Sequence, residues 1–366
     1  MDRSADVDEV ETPAVLVDLD VVERNVAAMA ERARGCGVRL RPHAKTHKVV
    51  ELGRMQITAG AAGLSVAKTS EAEVFAAAGF EDLFIAYPVV GADKGRRLLE
   101  VADRVRLAVG VDSEEGARTL AGVFQAAGRR LDVLLKVDVG FHRVGVTPER
   151  AAEAARRIAD LPGLRMRGVF THAGHAYLEE SLEGVTRVAL SEGSSLVETA
   201  QRIRDTGLDL EEVSVGSTPT ARHAMAVVGV TECRPGNYVY NDASQVSLGT
   251  CALEDCALTV LATVVSVPAP DRAVVDAGSK TLSSDPLRPG GAGFGFVLGR
   301  RSRVARLSEE HGVIEVVPGE AFRVGERVRI LPNHACVVSN LHDSLLAVRG
   351  GAVLGELTVA ARGRVR

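Results

Sequence analysis

A lysine flanked by two histidines is the first feature of this 366-residue sequence that could do chemistry. Lys45 lies between His43 and His47, directly after an alternating apolar segment that ends at Pro42. A lysine held among cationic groups and partly removed from water is destabilised as the ammonium ion. Only the neutral amine attacks a carbonyl to form a Schiff base. Lys45 is therefore a candidate Schiff-base lysine, although the same pattern also occurs in ordinary solvated basic turns.

A second candidate site lies far along the chain, in the segment 332–336, which follows an apolar strand candidate. If the chain stays extended there, His334 and Cys336 project from one face. An imidazole and a thiolate together suit a borderline-soft ion, for which zinc is the best candidate. Two protein ligands leave coordination positions open, which favours a catalytic over a structural ion. His342 and Asp343 could add ligands or orient them.

Glycine-containing turns provide candidate phosphate ligands. One follows the predicted strand 212–215 and another lies near the predicted strand 231–237. Backbone amides at such positions commonly bind phosphate in parallel barrels. Together with Lys45 they predict an aldehyde cofactor that carries phosphate, which is pyridoxal 5′-phosphate. Arg143 follows another predicted strand and could face the same mouth, or form a surface ion pair. The two turns are 216–220 and 234–238.

These candidates require a scaffold that gathers strand ends. Between about residues 20 and 245, strand-like segments alternate with Ala- and Arg-rich helical segments, which predicts an α/β fold, a parallel (β/α)8 TIM barrel. Its active site is expected at the carboxyl ends of the strands. An open doubly wound sheet is the alternative, but no Gly-x-Gly-x-x-Gly follows the first strand. The predicted strands are 38–43, 63–67, 83–87, 105–110, 131–137, 166–172, 212–215 and 231–237.

The positions of the histidines favour the same rim. Six of the nine histidines follow predicted barrel strands, and we expect them to converge there. A single histidine is more often a structural residue, so the prediction depends on the strand assignments. The six are His43, His47, His142, His172, His175 and His223.

After about residue 250, short valine-rich segments separated by Gly, Pro, Asp or Asn predict a C-terminal all-β domain. The predicted domains are 20–248 and 249–366, and residues 1–19, which contain a strand candidate, are expected to join the second. Asp20 is predicted to be the N-cap of a helix over 21–34. The predicted strands of the second domain are 258–267, 273–277, 312–317, 328–331, 344–348 and 352–359.

Composition excludes several classes of partner. A net charge of −4 and an aromatic content of 4% without tryptophan give no reason to expect nucleic acid. No apolar run approaches the ~20 residues that span a bilayer, so no membrane is expected. Residues 1–11 are acidic and polar, unlike a secretory signal. The five cysteines are scattered, which predicts reduced thiols in the cytoplasm.

With these residues together, the sequence resembles the fold-type III pyridoxal-phosphate enzymes, in the branch that contains D-serine dehydratase and D-threonine aldolase. The resemblance covers nearly the whole chain. It implies that Lys45 carries the cofactor and that Arg143 faces its pyridine nitrogen. It further implies that family members are typically homodimers and that the phosphate is held by Gly216, Ser217, Thr218, Gly236 and Asn237. The resemblance assigns His172 and Tyr177 to the cofactor lining, and His334 and Cys336 to a divalent metal.

The resemblance also implies an activity. Dehydratases of this family are similar to the chain in their His-x-Cys pair with zinc, whereas D-threonine aldolases carry His-x-Asp with manganese or a similar hard ion. Cys336 therefore favours dehydration of a small D-3-hydroxy amino acid, D-serine or D-3-hydroxyaspartate, to a 2-oxo acid and ammonia. Retro-aldol cleavage to glycine and an aldehyde is the alternative.

Three further alternatives stay open at lower rank. An amino-acid racemase would need a tyrosine from the second domain, and all four tyrosines precede residue 250. A non-catalytic pyridoxal-phosphate carrier would resemble the barrel alone. A metal-dependent barrel without pyridoxal phosphate would leave Lys45 without its cofactor.

Overall fold

The computed structural model describes residues 6–366, which contain seventeen β-strands in two sheets. In chain order the strands are β1 (Ala14–Asp18), β2 (Arg39–Leu40), β3 (Leu64–Val66), β4 (Asp82–Pro88), β5 (Arg106–Val111), β6 (Leu131–Lys136), β7 (Leu164–Phe170), β8 (Glu212–Val215), β9 (Glu232–Cys233), β10 (Leu258–Ala269), β11 (Arg272–Val275), β12 (Gly295–Val297), β13 (Arg303–Leu307), β14 (Gly312–Glu315), β15 (Arg327–Pro332), β16 (Ser344–Arg349) and β17 (Ala352–Thr358).

Most of the helices connect the strands of the first sheet. Their apolar residues pack on the sheet in one large core cluster, while their polar faces are solvated. The helices are α1 (Leu19–Gly35), α2 (Val50–Thr58), α3 (Thr69–Ala77), α4 (Ala92–Ala102), α5 (Glu114–Ala126), α6 (Ala151–Ala159), α7 (Leu182–Arg204), α8 (Thr218–Ala224), α9 (Ala243–Ser247), α10 (Ser279–Leu282) and α11 (Ala335–Leu341).

The first sheet is parallel and has the order β2-β9-β8-β7-β6-β5-β4-β3. A parallel bridge between His43 and Ser65 joins its two edge strands, and the Ser65 amide donates to the carbonyl of Pro42 at 2.8 Å. The sheet therefore closes into a barrel of eight strands that alternate with helices. The predicted TIM-like barrel is confirmed, and each of its eight strands lies within or overlaps a predicted segment.

The second sheet is mostly antiparallel and has the order β11-β14-β13-β12-β15-β10-β1-β16-β17. An additional pairing of β10 with β11 closes six of these strands into a smaller barrel. β1 lies antiparallel to β10 and parallel to β16, so the strand near the start of the chain joins the C-terminal sheet as predicted. The predicted all-β fold of this region is confirmed, with the short helices α10 and α11 between its strands.

Three details differ from the sequence-based expectations. Asp18, not Asp20, is the N-cap of α1, and its carboxylate accepts hydrogen bonds from the amides of Asp20 at 3.0 Å and Val21 at 3.2 Å. The helix therefore begins directly at the end of β1. The strands β12 and β13 were not predicted, because their apolar residues alternate with arginine and glycine over very short stretches. Among residues 6–366, no helix combines the length and the apolarity that crossing a bilayer requires.

Ion pairs fill the barrel interior near the amino ends of its strands. The buried guanidinium of Arg41 contacts Glu232 at 2.8 Å and Asp82 at 2.5 Å. Arg167, also buried, forms an ion pair with Glu212. These carboxylates oppose the buried arginines closely enough to hold the pKa of Arg41 above its ordinary value, although burial acts against this. The amino end of the barrel is therefore charged but internally neutralised.

Candidate active site

A cavity of about 790 Å³ lies at the carboxyl ends of the barrel strands, between the barrel and the segment that carries α11. Its size is typical of a small-molecule site. All eleven residues that the sequence indicated as site residues line it: Lys45, Arg143, His172, Tyr177, Gly216, Ser217, Thr218, Gly236, Asn237, His334 and Cys336. The structure brings them together, while their individual roles remain predictions.

Lys45 stands in a short 3-10 turn, Ala44–Thr46, that follows β2. The His43 imidazole caps this turn by accepting a hydrogen bond from the Lys45 amide at 3.4 Å. Lys45 lies deep among protein atoms, yet its side chain is open to the cavity. Burial lowers the pKa of Lys45, and Arg143 lowers it further against the opposing attraction of Cys336. The environment thus favours the neutral amine through burial, as the sequence suggested, and through Arg143 rather than the flanking histidines.

The turn after β8 is held from behind by a buried glutamate that sequence reasoning missed. Glu192, on α7, accepts hydrogen bonds from the amide of Gly216 at 3.1 Å and from the hydroxyl of Thr220 at 2.6 Å. The Gly216 amide is therefore directed away from the cavity. A Cβ at Gly216 would lie 2.8 Å from the backbone nitrogen of Arg234, so only glycine fits. The amides of Thr218 and Thr220 precede the first intrahelical hydrogen bond of α8, which the Ala221 amide donates to the carbonyl of Ser217.

The turn after β9 approaches the lysine turn closely. A Cβ at Gly236 would lie 2.8 Å from the Thr46 hydroxyl and 3.0 Å from the carbonyl oxygen of His43. The absence of a side chain therefore lets the two turns share one side of the cavity. The Tyr238 amide donates to the Thr218 hydroxyl at 3.1 Å, which ties this turn to the one after β8.

His172 and Tyr177 occupy the wall between these turns. The Nδ1 atom of His172 lies 2.8 Å from the carbonyl oxygen of Gly216, so in the neutral ring this nitrogen carries the proton. Burial lowers the pKa of His172 well below its ordinary value, and Lys45 lowers it further. The Tyr177 hydroxyl accepts a hydrogen bond from Gln245 at 3.1 Å, and burial raises its pKa. Both side chains are therefore uncharged near neutral pH.

Several basic side chains line the cavity, and they differ in their hydrogen bonds and ion pairs. Arg234 is buried, and its guanidinium donates to the Ser214 hydroxyl at 2.8 Å and to the carbonyl of Thr171. Within residues 6–366, by contrast, Lys136 and Arg143 have no ion pair or side-chain hydrogen bond, and both lie over aromatic rings. Burial lowers the pKa of Lys136 well below its ordinary value. Lys136 was not identified from the sequence, because this residue lies within the predicted strand 131–137.

The predicted metal ligands His334 and Cys336 line one cavity, but not in the extended geometry that the sequence suggested. The chain does not stay extended, because His334 caps α11 and Cys336 lies in its first turn. The two side chains nevertheless lie close enough for His334 to lower the pKa of Cys336. Asp285 lies with one carboxylate oxygen 2.5 Å from His334 Nδ1 and was not predicted. His342 and Asp343 do not line the cavity, so the expected additional ligands are not there.

Cys336 connects the metal pair to the lysine turn. Its sulfur lies 3.3 Å from the Thr46 hydroxyl and accepts a hydrogen bond from the Asn237 amide at 3.6 Å. Burial opposes ionisation of this thiol, but His334 and Thr46 lower its pKa below the ordinary value. The buried carboxylate of Asp242 accepts from Asn237 at 2.5 Å and from the Ala335 amide at 3.0 Å, which fixes α11 to the barrel.

The prediction that six histidines converge at the rim is only partly correct, because just His43 and His172 of the six line the cavity. His47 is buried beside α2 and accepts from the Val49 amide at 3.0 Å. His142 follows β6, but its side chain is 85% exposed and pairs with Asp138. His175 and His223 also lie away from the cavity lining. Following a strand places a residue near the rim without deciding the direction of its side chain.

Comparison with known families identifies the class. Residues 17–244 match the family model described as "Alanine racemase, N-terminal domain", and residues 257–348 match the model of a serine dehydratase domain. The chain belongs to this fold-type III pyridoxal-phosphate family, as the sequence resemblance indicated.

The names of the curated relatives describe lyases that act on D-amino acids. The chain is 38% identical to D-threo-3-hydroxyaspartate dehydratase of Delftia sp. (strain HT23), over 89% of this chain and 91% of that protein. It is 34% identical to D-threonine aldolase of Arthrobacter sp, over 97% and 93%. It is 31% identical to D-serine dehydratase of Dictyostelium discoideum, over 92% and 93%. The chain is thus a lyase of this family, as predicted.

Solved structures agree with this assignment. D-threonine aldolase from Filomicrobium marinum superposes with a TM-score of 0.91 at 34% identity, covering 99% of both chains. A cysteine variant of D-threo-3-hydroxyaspartate dehydratase, described as its metal-free form, superposes with a TM-score of 0.90 at 35% identity, covering 97% of this chain and 99% of that chain.

Proposed function

We propose that this chain is a pyridoxal 5′-phosphate- and zinc-dependent dehydratase of D-3-hydroxy amino acids that releases ammonia and a 2-oxo acid. D-Serine and D-3-hydroxyaspartate are the proposed substrates. The observation that carries the proposal is that Lys45 and the pair of His334 and Cys336 line one cavity and are linked through Thr46. The names of the relatives support the same class of substrate.

The residues present fit pyridoxal phosphate. Lys45 offers an amine whose pKa is lowered by burial, and the cavity around it has the volume of a small-molecule site. The turns at Ser217–Thr218 and Gly236–Asn237 supply backbone amides for its phosphate, with Gly216 shaping the first turn. His172 and Tyr177 would line the ring, and Arg143 would face the pyridine nitrogen. Bound pyridoxal phosphate supplies an electron sink for negative charge at Cα.

The donor set also fits a divalent metal. His334 and Cys336 offer nitrogen and sulfur, which suit zinc, with manganese or another divalent ion as the alternative. The metal-free description of the cysteine variant of a relative supports a metal in this family. A zinc ion bound there supplies Lewis acidity for the departure of a hydroxyl group. Asp285 would hold the imidazole of His334 in one orientation and one tautomer.

The chain's own residues would then bind the substrate and move its proton. Lys45, as a neutral amine, is the base for the Cα proton, because burial and Arg143 disfavour its ammonium form. Arg143 would place a positive charge beside the pyridine nitrogen and so disfavour protonation there. The neutral His172 and Tyr177 add no competing charge to the lining.

Retro-aldol cleavage to glycine and an aldehyde is the second candidate function. The relationship to a D-threonine aldolase at 34% identity supports it, and the same cavity could hold its substrate. Cys336, as a soft ligand, supports the dehydratase. Incubation with D-serine, D-threonine and D-3-hydroxyaspartate, followed by assays for ammonia and glycine, tests the two. Ammonia without glycine is expected, and glycine without ammonia would contradict dehydration.

The proposal also covers the division into domains, the cellular location and the oligomeric state. A division into domains at 20–248 and 249–366 is supported by the gap between β9 and β10, and β1 joins the second sheet. Residues 1–5 of the segment expected to accompany it lie outside the described residues. A cytoplasmic location is supported by five cysteines that are all free thiols. Homodimerisation rests on the family resemblance and is tested by light scattering.

A further inference from the structure

We propose that Arg288 binds a carboxylate on the β-carbon of the substrate, so that the enzyme prefers D-3-hydroxyaspartate to D-serine or D-threonine. This inference rests on the proposed function and names its substrate class. Arg288 lies between β11 and β12, in a segment that the sequence did not mark as functional, and it lines the same cavity as Lys45 and Cys336.

The segment that carries Arg288 is fixed beside the metal pair. Asn333 directly precedes His334, and its side-chain amide donates to the carbonyls of Asp285 at 3.0 Å and Gly293 at 2.9 Å. The Arg288 amide donates to the Ser244 hydroxyl at 3.3 Å. Leu287 is buried against the base of the segment. The backbone around Arg288 is therefore anchored to the wall that holds His334.

The guanidinium of Arg288 is available for a ligand. It is exposed to solvent and, in the part of the chain that the structure describes, makes no ion pair or side-chain hydrogen bond. Its nearest acidic neighbour in sequence, Asp285, is already bonded to His334. An arginine whose planar guanidinium is unpaired can bind a carboxylate through two parallel hydrogen bonds.

The position of Arg288 distinguishes the β-substituent from the α-carboxylate. In the proposed function, Lys45 marks the side of the cavity where Cα reacts, and His334 marks the side where the β-hydroxyl is bound. Arg288 belongs to the His334 side, through Asn333 and Asp285. The remaining substituent on the β-carbon is a carboxylate in 3-hydroxyaspartate, a methyl group in threonine and hydrogen in serine. Only the carboxylate complements an unpaired guanidinium.

The test is a binding titration of the holoenzyme with D-aspartate and D-asparagine, followed by the change in cofactor absorbance. Neither ligand has a β-hydroxyl, so neither loses water, and they differ in the charge on the β-substituent. We expect the wild type to bind D-aspartate about 10- to 100-fold more tightly than D-asparagine, as a charge-assisted contact provides. Arg288→Gln should bring this ratio close to one, and Arg288→Lys should keep part of it. Arg306→Gln, at an exposed arginine of β13 outside the cavity lining, should leave it unchanged.

A wild type that binds the two ligands equally would overturn the inference. So would a parallel loss of both affinities in Arg288→Gln, which would place the arginine at the α-carboxylate. In turnover, the preference for D-3-hydroxyaspartate over D-serine, as the ratio of kcat/KM values, should fall about 10- to 100-fold in Arg288→Gln. Absence of cofactor absorbance in the wild type, and of borohydride labelling at Lys45, would instead reject the proposed function itself.

Discussion

Both ends of the barrel carry charged side chains, but these side chains differ in whether they have partners. Near the amino ends of the strands, buried Arg41 and Arg167 each contact carboxylates, and Glu232 is fully buried between its partners. Near the carboxyl ends, Lys45, Lys136 and Arg143 have no acidic partner in contact within residues 6–366. The basic side chains at the amino end have counter-charges, whereas those at the carboxyl end have none in contact, and burial lowers the pKa of two of them, Lys45 and Lys136.

The charges at the amino end therefore contribute to folding, whereas the basic side chains at the carboxyl end are available for a ligand. A buried ion pair already has its counter-charge, so it stabilises the folded chain only as long as both partners remain. Cations without partners are unfavourable in the empty protein, and they become favourable when an anionic ligand fills the cavity. Under the proposed function, a phosphorylated cofactor and an amino-acid substrate would supply the negative charges that the side chains at this end lack.

The largest expected effect is the loss of activity at the carboxyl end in Lys45→Ala. Removing the amine removes both the attachment point for the cofactor and the proposed base, so turnover should fall about 10⁴-fold. Borohydride treatment should no longer label the protein. Steady-state kinetics and mass spectrometry of the peptide containing position 45 provide the measurement. A variant that keeps cofactor absorbance and turnover would contradict the proposed role of Lys45.

The next largest expected effect is a loss of stability at the amino end of the barrel. Glu232→Gln removes the charge that faces Arg41, and breaking a buried pair costs about 3–5 kcal/mol because the partner stays charged. The urea midpoint should fall accordingly, while kcat per folded molecule should change little. Glu309→Gln is the matched control, since Glu309 is 80% exposed beside Lys280 and should change stability by less than about 0.5 kcal/mol. Similar midpoints for the two variants would contradict the comparison.

The sequence was informative where function depends on strand ends. Hydrophobic alternation located the barrel strands, and the turns after β8 and β9 contain Gly216 and Asn237, which do line the cavity. The same reasoning placed His142 and His223 wrongly, because the direction of a side chain depends on the local turn. His142, for example, has φ of +54°, which turns it toward solvent. The local sequence pattern therefore predicts where a residue lies better than it predicts the direction of its side chain.

The residues that support the site could not be predicted, because their partners are distant in sequence. Glu192 on α7 holds the turn after β8, and Asp242 fixes α11 through residues about a hundred positions away. Asp285 meets His334 only after the intervening strands have folded into the second sheet. Nothing in the local sequence of these acids distinguishes them from surface carboxylates. The His334–Cys336 pair was predicted from its donor chemistry, although its extended geometry was wrong.

A smaller effect is expected for the acid that orients the metal pair. Asp285→Asn weakens the contact with His334 Nδ1, and loss of such a partner typically lowers metal affinity about 10- to 100-fold. Competition with a chelator dye on the metal-free protein measures the zinc affinity directly. Asp343→Asn is the control, because this aspartate is 89% exposed and lies outside the cavity lining. Equal zinc affinity in the wild type and in Asp285→Asn would show that the carboxylate does not orient His334.

The smallest expected effect is a gain in stability, whereas the substitution at the amino end is expected to lower stability. Because burial lowers the pKa of Lys136 in the folded protein, the unfolded chain binds the proton more readily at neutral pH. The lysine therefore destabilises the cofactor-free protein at pH 7, and this penalty shrinks as the pH rises toward the ordinary pKa of lysine. Lys136→Met should raise the urea midpoint of the cofactor-free protein at pH 7, with a smaller gain at pH 10.

Lys280→Met provides the matched control for this pH dependence, since Lys280 is exposed and pairs with Glu310 at 2.6 Å. Its substitution should change stability only slightly, and in the unfavourable direction. If Lys136→Met instead lowered the midpoint at pH 7, Lys136 would stabilise the empty protein despite its burial. The contrast between an amino end with paired charges and a carboxyl end whose basic side chains lack partners would then fail at Lys136.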